Sequence, residues 1–283
     1  MADGRVPRQF GKGSTGGKLF AMSMPPTKKS LGQHWLHDEL SLDAIVDAAD
    51  VTASDTVLEV GPGPGTLTKK LIARANHVVA VEFDEQLAQD LPARVPADNL
   101  DIWQGDILQF DLSSLPSGYK VVANIPYYLT SNLLRVLCES PNHFSKASVL
   151  IQKEVAERVC ARPGHMSILS VSVQFYCDVS LGVLVPAHLF TPPPKVDSQV
   201  LQLTFRETPL FPGVDIKQFF RVVKAGFSQK RKTLLNSLSA GLHLGREETA
   251  KLLEDAAVNP TTRAQNLSLE QWHSLYLAYD KLQ

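Results

Sequence analysis

Apolar and polar residues change rhythm along this chain, and the changes predict its architecture. Leu42, Ile45, Val46 and Ala49 recur at the spacing of one helix face. Short apolar runs follow at 56–60, 77–83, 100–104, 121–124 and 147–152, each the length of a buried strand. Between them lie helical stretches: 66–75, a helix from about Thr130-Ser131 carrying Leu133, Leu134 and Leu137, and a solvated helical face at 153–158. Residues 170–176 read as a helix end, and 179–185 and 199–205 as two more strands. After Arg206 the pattern changes. Phe211-Pro212-Gly213 reads as a linker, and the remainder is helical, with apolar faces at Val222, Val223, Phe227 and at Leu234, Leu235, Leu238. Strands alternating with helices predict a doubly wound α/β sheet whose ligands sit at the strands' carboxyl ends. The expected organisation is a flexible basic tail over 1–27, an α/β domain over 28–207 and a small helical domain over 208–283.

Composition narrows this picture. A chain of 283 residues with 44% hydrophobic content builds a real core, and no apolar run is long enough to span a membrane. Cys138, Cys160 and Cys177 are far apart and lack paired spacing, so they read as small buried residues in a reducing compartment. The net charge of −1 excludes a uniformly basic surface. Residues 1–30 hold six Lys/Arg against one Asp, which leaves 22 basic and 28 acidic residues in the rest. Any nucleic-acid surface must therefore be a local basic patch on a mildly acidic body. The Gly-, Ser- and Lys-rich tail resembles a linker, with Met22 or Met24 nearer a natural start. Its glycines match a phosphate-binding loop only loosely, because no strand precedes them.

Candidate chemistry gathers at the predicted strand ends. Strand 56–60 runs into Gly61-Pro62-Gly63-Pro64-Gly65 and then a helix. Such a loop either brings backbone close to a ligand at a helix start or makes a tight strand–helix turn. Glu82, about 20 residues on, is placed to accept both hydroxyls of a ribose, which favours the first reading. Asp106 either accepts from an adenine amine or caps the next turn, the cap being the simpler local choice. Strand 121–124 ends in Asn124-Ile125-Pro126-Tyr127-Tyr128. Pro126 holds Ile125 extended, leaving the Asn124 side-chain oxygen and the Ile125 carbonyl as paired acceptors beside an aromatic face. That set suits the N6 amine of an adenine flipped out of its nucleic acid, and the plain alternative is a strand followed by a turn. Lys28 and Lys29 precede Ser30-Leu31-Gly32-Gln33-His34-Trp35-Leu36. These lysines either sit on a phosphate backbone or belong to a basic loop packing Trp35 and Leu36 into the domain, which is locally the better reading. The stiff run Phe190-Thr191-Pro192-Pro193-Pro194-Lys195-Val196-Asp197-Ser198 brings Phe190 to a base and Lys195 to a phosphate, or is a rigid crossover. Lys224, Lys230, Arg231 and Lys232 cluster near Ser228-Gln229.

Taken together these motifs resemble the KsgA-type small-subunit ribosomal RNA adenine dimethyltransferases, the bacterial RsmA group. The resemblance covers residue 28 to the C-terminus and rests on 29–36, 59–65, Glu82, Gly105-Asp106, 124–127, 190–198, 227–234 and 263–267, in the family's order. The macrolide-resistance methyltransferases share the catalytic motifs but not usually the signature at 227–238. The resemblance implies a class I S-adenosylmethionine-dependent methyltransferase, a Rossmann-like doubly wound sheet with a small C-terminal helical domain. It implies S-adenosylmethionine held by His34, Leu36, Gly61, Gly63, Glu82, Asp106 and Asn124, with His34 replacing the asparagine usual there. Asn124, Ile125, Pro126, Tyr127 and Phe190 would form the catalytic pocket, and Lys28, Lys29, Lys195, Lys230, Arg231 and Lys232 would meet RNA. No metal is required. The product would be N6,N6-dimethyladenosine at two adjacent adenosines in the 3′-terminal hairpin of small-subunit RNA. The enzyme would act as a cytoplasmic monomer on a pre-ribosomal particle.

Three other readings compete: a large-subunit RNA or DNA adenine methyltransferase, an assembly or transcription factor that has lost catalysis, and a nicotinamide dehydrogenase. Intact Asn124, Pro126 and Tyr127 argue against the second, and the glycine spacing argues against the third.

Overall fold

A computed structural model describes residues 8–10, 24–28 and 31–282. In chain order its elements are β1 (Arg8–Phe10), β2 (Trp35–Leu36), α1 (Glu39–Asp47), β3 (Thr56–Val60), α2 (Thr66–Ile72), β4 (His77–Glu82), α3 (Glu85–Arg94), β5 (Leu100–Gln104), β6 (Lys120–Asn124), α4 (Thr130–Glu139), β7 (Lys146–Gln152), α5 (Lys153–Val159), α6 (Ile168–Tyr176), β8 (Cys177–Val185), β9 (Phe190–Thr191), β10 (Ser198–Phe205), α7 (Ile216–Phe227), α8 (Leu234–Leu242), α9 (Arg246–Asp255) and α10 (Leu269–Asp280).

The large sheet runs β1-β5-β4-β3-β6-β7-β10-β8. Strands β5, β4, β3, β6 and β7 are mutually parallel, and β10 closes antiparallel on β7. Every parallel strand therefore ends at the same edge. β3 is the switch point: the chain leaves it toward β4 on one side and later returns to β6 on the other, so a crevice opens between their ends. One face is packed by α1, α2 and α3 through Leu42, Ile45, Leu67, Leu71 and Leu91 against Val57, Val78 and Val122. The alternate positions Leu58, Val79 and Val121, with Leu133, Leu134 and Leu137 of α4, are also buried and lie outside that cluster, on the other face.

Contacts divide the chain into two compact units. The first holds residues 1–156 and 178–205, and the second 157–177 and 206–283. The expected boundary at 207 thus misses an excursion: 157–177 belongs with the helices. The reason lies in α6, where Val171 and Phe175 are buried in the same cluster as Phe219, Leu234, Leu252 and Trp272. Phe175 stacks at an angle on Phe219, ring centroids 4.8 Å apart. One helix inserted before β8 shows only its own periodicity in the sequence, not the unit it packs into.

The expectation of an unstructured tail also needs correction at one place. Arg8–Phe10 pairs antiparallel with β5, Gln9 opposite Trp103. The other tail residues before Met24 lie outside the described residues.

Candidate active site

The three loop glycines do three different jobs. Gly61 (φ +69°) has nothing within 4 Å of where a Cβ would stand, so its backbone faces open space at the tip of β3. At Gly63 (φ +56°) a Cβ would meet the Trp35 ring at 2.7 Å. At Gly65 (φ +87°) it would meet Val95 and Leu91 at 2.5 and 2.8 Å, which lets α2 start against α3. The first leaves open space at the strand tip and the other two serve packing, a distinction invisible in the spacing.

Glu82 holds this loop to the tip of β4. One carboxylate oxygen accepts the Gly63 N–H (3.0 Å) and the other the Asp84 N–H (2.8 Å). Each oxygen keeps a second lone pair for a ligand hydroxyl. Burial pushes the Glu82 pKa up and the Asp84 charge adds to it, while the backbone N–H groups of Asp84, Gly63 and Phe83 work against that push. Glu82→Gln keeps the shape but weakens the acceptor. We expect its cofactor Kd to rise about tenfold to a hundredfold, read by calorimetric titration.

On β3, just before the loop, lies Glu59, 1% exposed and closed off from solvent. Burial raises its pKa to about 8; Thr68 opposes the shift and the Glu82 charge adds to it. Folding therefore takes up a proton here. The contribution to stability is full below about pH 4 and is lost as pH rises through about 8. Glu59→Gln should flatten the fall in Tm between about pH 5 and about pH 8 in scanning calorimetry.

Asp106 does cap the turn after β5, accepting the Leu108 N–H at 3.0 Å, and it also lines the cavity. The cap reading is met, and the same geometry leaves Asp106 at the cavity wall. The cavity, about 230 Å³, is bounded by Gly61, Glu82, Phe83, Asp106, Asn124 and Tyr127 among others. That is room for a small ligand rather than one or two waters. β3 and β6 are neighbours, with Val60 opposite Ala123, so Gly61 and Asn124 leave the sheet side by side. The Asn124 side chain has no hydrogen-bond partner among the described residues. Because β6 ends at Asn124, the Ile125 carbonyl lies beyond the ladder.

The far wall comes from two distant segments. β2 and β9 form a second small sheet, Trp35 opposite Thr191 and Leu36 opposite Phe190. His34 Nδ1 lies 2.7 Å from the Pro192 carbonyl oxygen, and the Tyr127 hydroxyl shares a 2.9 Å hydrogen bond with Ser198. Burial raises the Tyr127 pKa, with Ser198 acting against the shift and Asp197 adding to it. The phenol stays neutral and its ring is fixed.

Several predicted residues land elsewhere than expected. Phe190 is buried in the core beside Leu36 and also lines the cavity, so the packing that fixes it leaves the base-facing role as a proposal. Lys28 forms an ion pair with buried Asp84 at 2.7 Å, and its N–H donates to Gln33 Oε1 at 2.7 Å. With Trp35 and Leu36 buried, and the Trp35 Nε1–H on the Pro25 carbonyl, this segment is an anchored strap rather than a free phosphate contact. Lys29 lies outside the described residues. Lys195 is exposed in the catalytic unit, and Lys230, Arg231 and Lys232 are exposed in the turn between α7 and α8 of the helical unit.

The sequence reading gave no role to two aromatics at the cavity mouth, Phe83 (56% exposed) and Tyr128 (64% exposed). Each directly follows a strand-tip motif, Glu82 or Pro126-Tyr127, and an aromatic there has no core to fill. That was the available signal.

The polar groups turned to the cavity are mostly acceptors, the carboxylates of Glu82 and Asp106 and the Asn124 amide oxygen. Gly61 leaves space for backbone approach, and Phe83 offers an aromatic face. This set fits a nucleoside ligand rich in hydroxyl and amine donors that also carries positive charge, as S-adenosylmethionine does.

Comparison with known proteins agrees with this chemistry. The family model described as ribosomal RNA adenine dimethylase matches residues 25–281. The ribosomal RNA small subunit methyltransferase A of Dehalococcoides mccartyi (strain CBDB1) is 41% identical over 256 residues, 89% of this chain and 88% of the relative. Its counterpart in Streptococcus thermophilus (strain ATCC BAA-250 / LMG 18311) is 40% identical, covering 88% and 90%. Among solved structures, a dimethyladenosine transferase from Plasmodium falciparum superposes with TM-score 0.73 at 28% identity, covering 87% of this chain and 97% of that one. The 23S rRNA methyltransferase ErmE gives TM-score 0.70 at 28% identity, covering 87% and 99%. The chain belongs to the ribosomal RNA adenine dimethylase family.

Proposed function

We propose that this chain transfers methyl groups from S-adenosylmethionine to the N6 amine of adenosine in small-subunit ribosomal RNA, twice per base, at two adjacent adenosines of the 3′-terminal hairpin. The observation that carries the reading is the pairing of β3 with β6, which sets the open Gly61 backbone beside the unpartnered Asn124 amide at one cavity.

S-adenosylmethionine supplies an electrophilic methyl on a positively charged sulfur. The chain's own residues supply position and polarity. Adenine N6 is a poor nucleophile because its lone pair is shared with the ring. The Asn124 side-chain oxygen and the Ile125 carbonyl accept its two hydrogens, which favours a tetrahedral nitrogen with its lone pair directed at the donor. Tyr127, fixed through Ser198, gives the extruded base a face to stack on. After the first transfer the amine has one hydrogen left, so the pocket gives up one of the two acceptor contacts in the second. Glu82 and Asp106 hold the nucleoside and balance positive charge.

Lys195 on the catalytic unit and Lys230, Arg231 and Lys232 on the helical unit are the reading's phosphate contacts. Neutralising the last three together should weaken RNA binding and lower the salt slope of log K by about 2 to 3. The kcat at saturating RNA should hold. A filter-binding series in rising salt measures this. Action as a cytoplasmic monomer on a pre-ribosomal particle belongs to the same proposal.

The decisive experiment supplies labelled methyl donor and small-subunit particles lacking the modification, then maps the modified bases. Two adjacent dimethyladenosines in the small-subunit RNA are expected. Label on large-subunit RNA, the substrate named for ErmE, or on another atom rejects the reading.

A further inference from the structure

Extruding an adenosine leaves a gap in its strand. The bases beside it lose a stacking neighbour, and an aromatic face offered in its place restores part of what is lost. The pocket described above holds the extruded base and the cofactor. One aromatic at the cavity mouth, Tyr128, is left without a use.

Chain geometry separates Tyr128 from Tyr127. Both belong to a single 3₁₀ turn, Tyr127–Leu129, in which the Leu129 N–H donates to the Pro126 carbonyl at 3.0 Å. Such a turn has three residues per revolution, so neighbouring side chains leave it about 120° apart. Tyr127 turns inward, its hydroxyl on Ser198 and its ring 6.0 Å from that of His34. Tyr128 turns outward. It borders the cavity, stays largely exposed, and its hydroxyl has no hydrogen-bond partner among the described residues. The ring is nonetheless backed on one side. A Cβ built on Gly32 would stand 3.7 Å from Tyr128 Cδ1 and 3.8 Å from both Tyr128 Cε1 and Pro126 Cβ. The strap anchored by Lys28 and Trp35 therefore borders the ring without covering it. A phenol left this open contributes little to the core.

We propose that Tyr128 is a specificity-determining residue: its ring stacks on the base next to the extruded adenosine in the RNA. The inference rests on the methyl-transfer reading above. Stacking suits the neighbour because every base has a π face, so a ring accepts it without reading its hydrogen-bonding edge. That matters when two adjacent adenosines are modified in turn. A dimethylated N6 has no hydrogen left to donate, but its base is still flat. A side chain that read the N6 hydrogens of the neighbour would lose its hold once that neighbour was modified, and a stacking ring keeps it.

The test uses the full chain, S-adenosylmethionine and small-subunit particles lacking the modification. Tyr128→Trp, Tyr128→Phe and Tyr128→Leu are compared with the native protein. Leucine keeps an apolar contact for Gly32 and removes the flat face. Tyr128→Leu should raise KM for RNA about tenfold to a hundredfold, with kcat at saturating RNA held within about threefold. Its S-adenosylmethionine Kd, read by calorimetric titration, should equal that of the native protein. Tyr128→Phe and Tyr128→Trp should restore KM to within about threefold of native, because each keeps a ring. In a filter-binding series Tyr128→Leu should weaken binding at every salt concentration without changing the slope of log K, since a stacked base releases no counterion. An unmoved KM in Tyr128→Leu overturns the stacking contact. An equal rise in Tyr128→Phe overturns it too, by assigning the effect to the hydroxyl. A changed S-adenosylmethionine Kd or a lowered salt slope in Tyr128→Leu also overturns it, because the substitution then acts through the strap or through a phosphate contact. Each of these results, with normal transfer by the native chain, defeats this inference alone. No methyl transfer by the native chain to any RNA defeats the methyl-transfer reading and this inference with it.

Discussion

Asn124→Ala is expected to abolish methyl transfer while leaving RNA binding nearly intact. The side chain sits at the end of β6, beside the glycine loop of β3, and nothing among the described residues competes for its amide. Removing it takes away the acceptor that shapes the N6 lone pair and leaves the Ile125 carbonyl alone to orient the amine. Loss of one preorganised polar partner of this kind costs about a hundredfold to a thousandfold in kcat. A group that both positions and polarises belongs at the upper end of that range. Because the contact tightens as the nitrogen becomes tetrahedral, the loss should fall on kcat with little change in KM for RNA. Single-turnover methylation at saturating RNA and cofactor reads it. Asn124→Asp is the sharper companion. It keeps both acceptor positions but adds a negative charge beside Glu82 and Asp106, so recovery of rate in that variant would mean acceptance alone matters and the amide's neutrality does not. Turnover within about threefold of native in Asn124→Ala removes the residue from the mechanism.

The sheet was legible in the sequence because a doubly wound fold writes itself in short apolar runs. All five parallel strands sit where those runs predict them, and with parallel neighbours their polar tips must gather at one edge. The glycine loop was legible as a loop but not glycine by glycine. Gly63 answers to Trp35, which lies 28 residues earlier and has no periodic relation to it. Long-range packing of that kind leaves no local trace. The same holds for Lys28, whose local reading as a basic loop packed into the domain could not name its partner, the buried Asp84. The Phe190 motif pointed to the cavity that Phe190 lines, but not to the packing that holds it there. Its pairing with Leu36 through two isolated two-residue strands is too short for any pattern to announce. The helical unit was visible from residue 208 on, while its 157–177 segment was hidden by the strands on either side.

Trp272→Ala is expected to unfold the helical unit's core and take RNA affinity with it while cofactor binding survives. Trp272, on α10, is fully buried and stacks on Phe227 of α7 with ring centroids 5.3 Å apart. Its ring also fills the space over Gly226, where a Cβ would stand 2.4 Å from it. One side chain thus joins the last turn of α7 to α10, and that turn leads directly into the exposed Lys230-Arg231-Lys232 segment. Truncation removes the ring's burial and leaves a cavity that α7 and α10 cannot both close, at a cost of about 3 to 5 kcal/mol. For a unit of this size that is a large share of its total stability. The indole N–H has no hydrogen-bond partner among the described residues, so Trp272→Phe sheds an unsatisfied donor along with some volume. It should cost clearly less than the alanine. Calorimetry on the full chain should resolve a lowered transition for the helical unit beside one for the α/β unit that still shifts upward with added S-adenosylmethionine. The α/β unit keeps its own core around Val57, Val78 and Val122, none of which belongs to the Trp272 cluster. A single transition falling as a whole would mean that the two cores melt together, and RNA affinity unchanged in Trp272→Ala would mean that the basic turn does not depend on α7 for its shape.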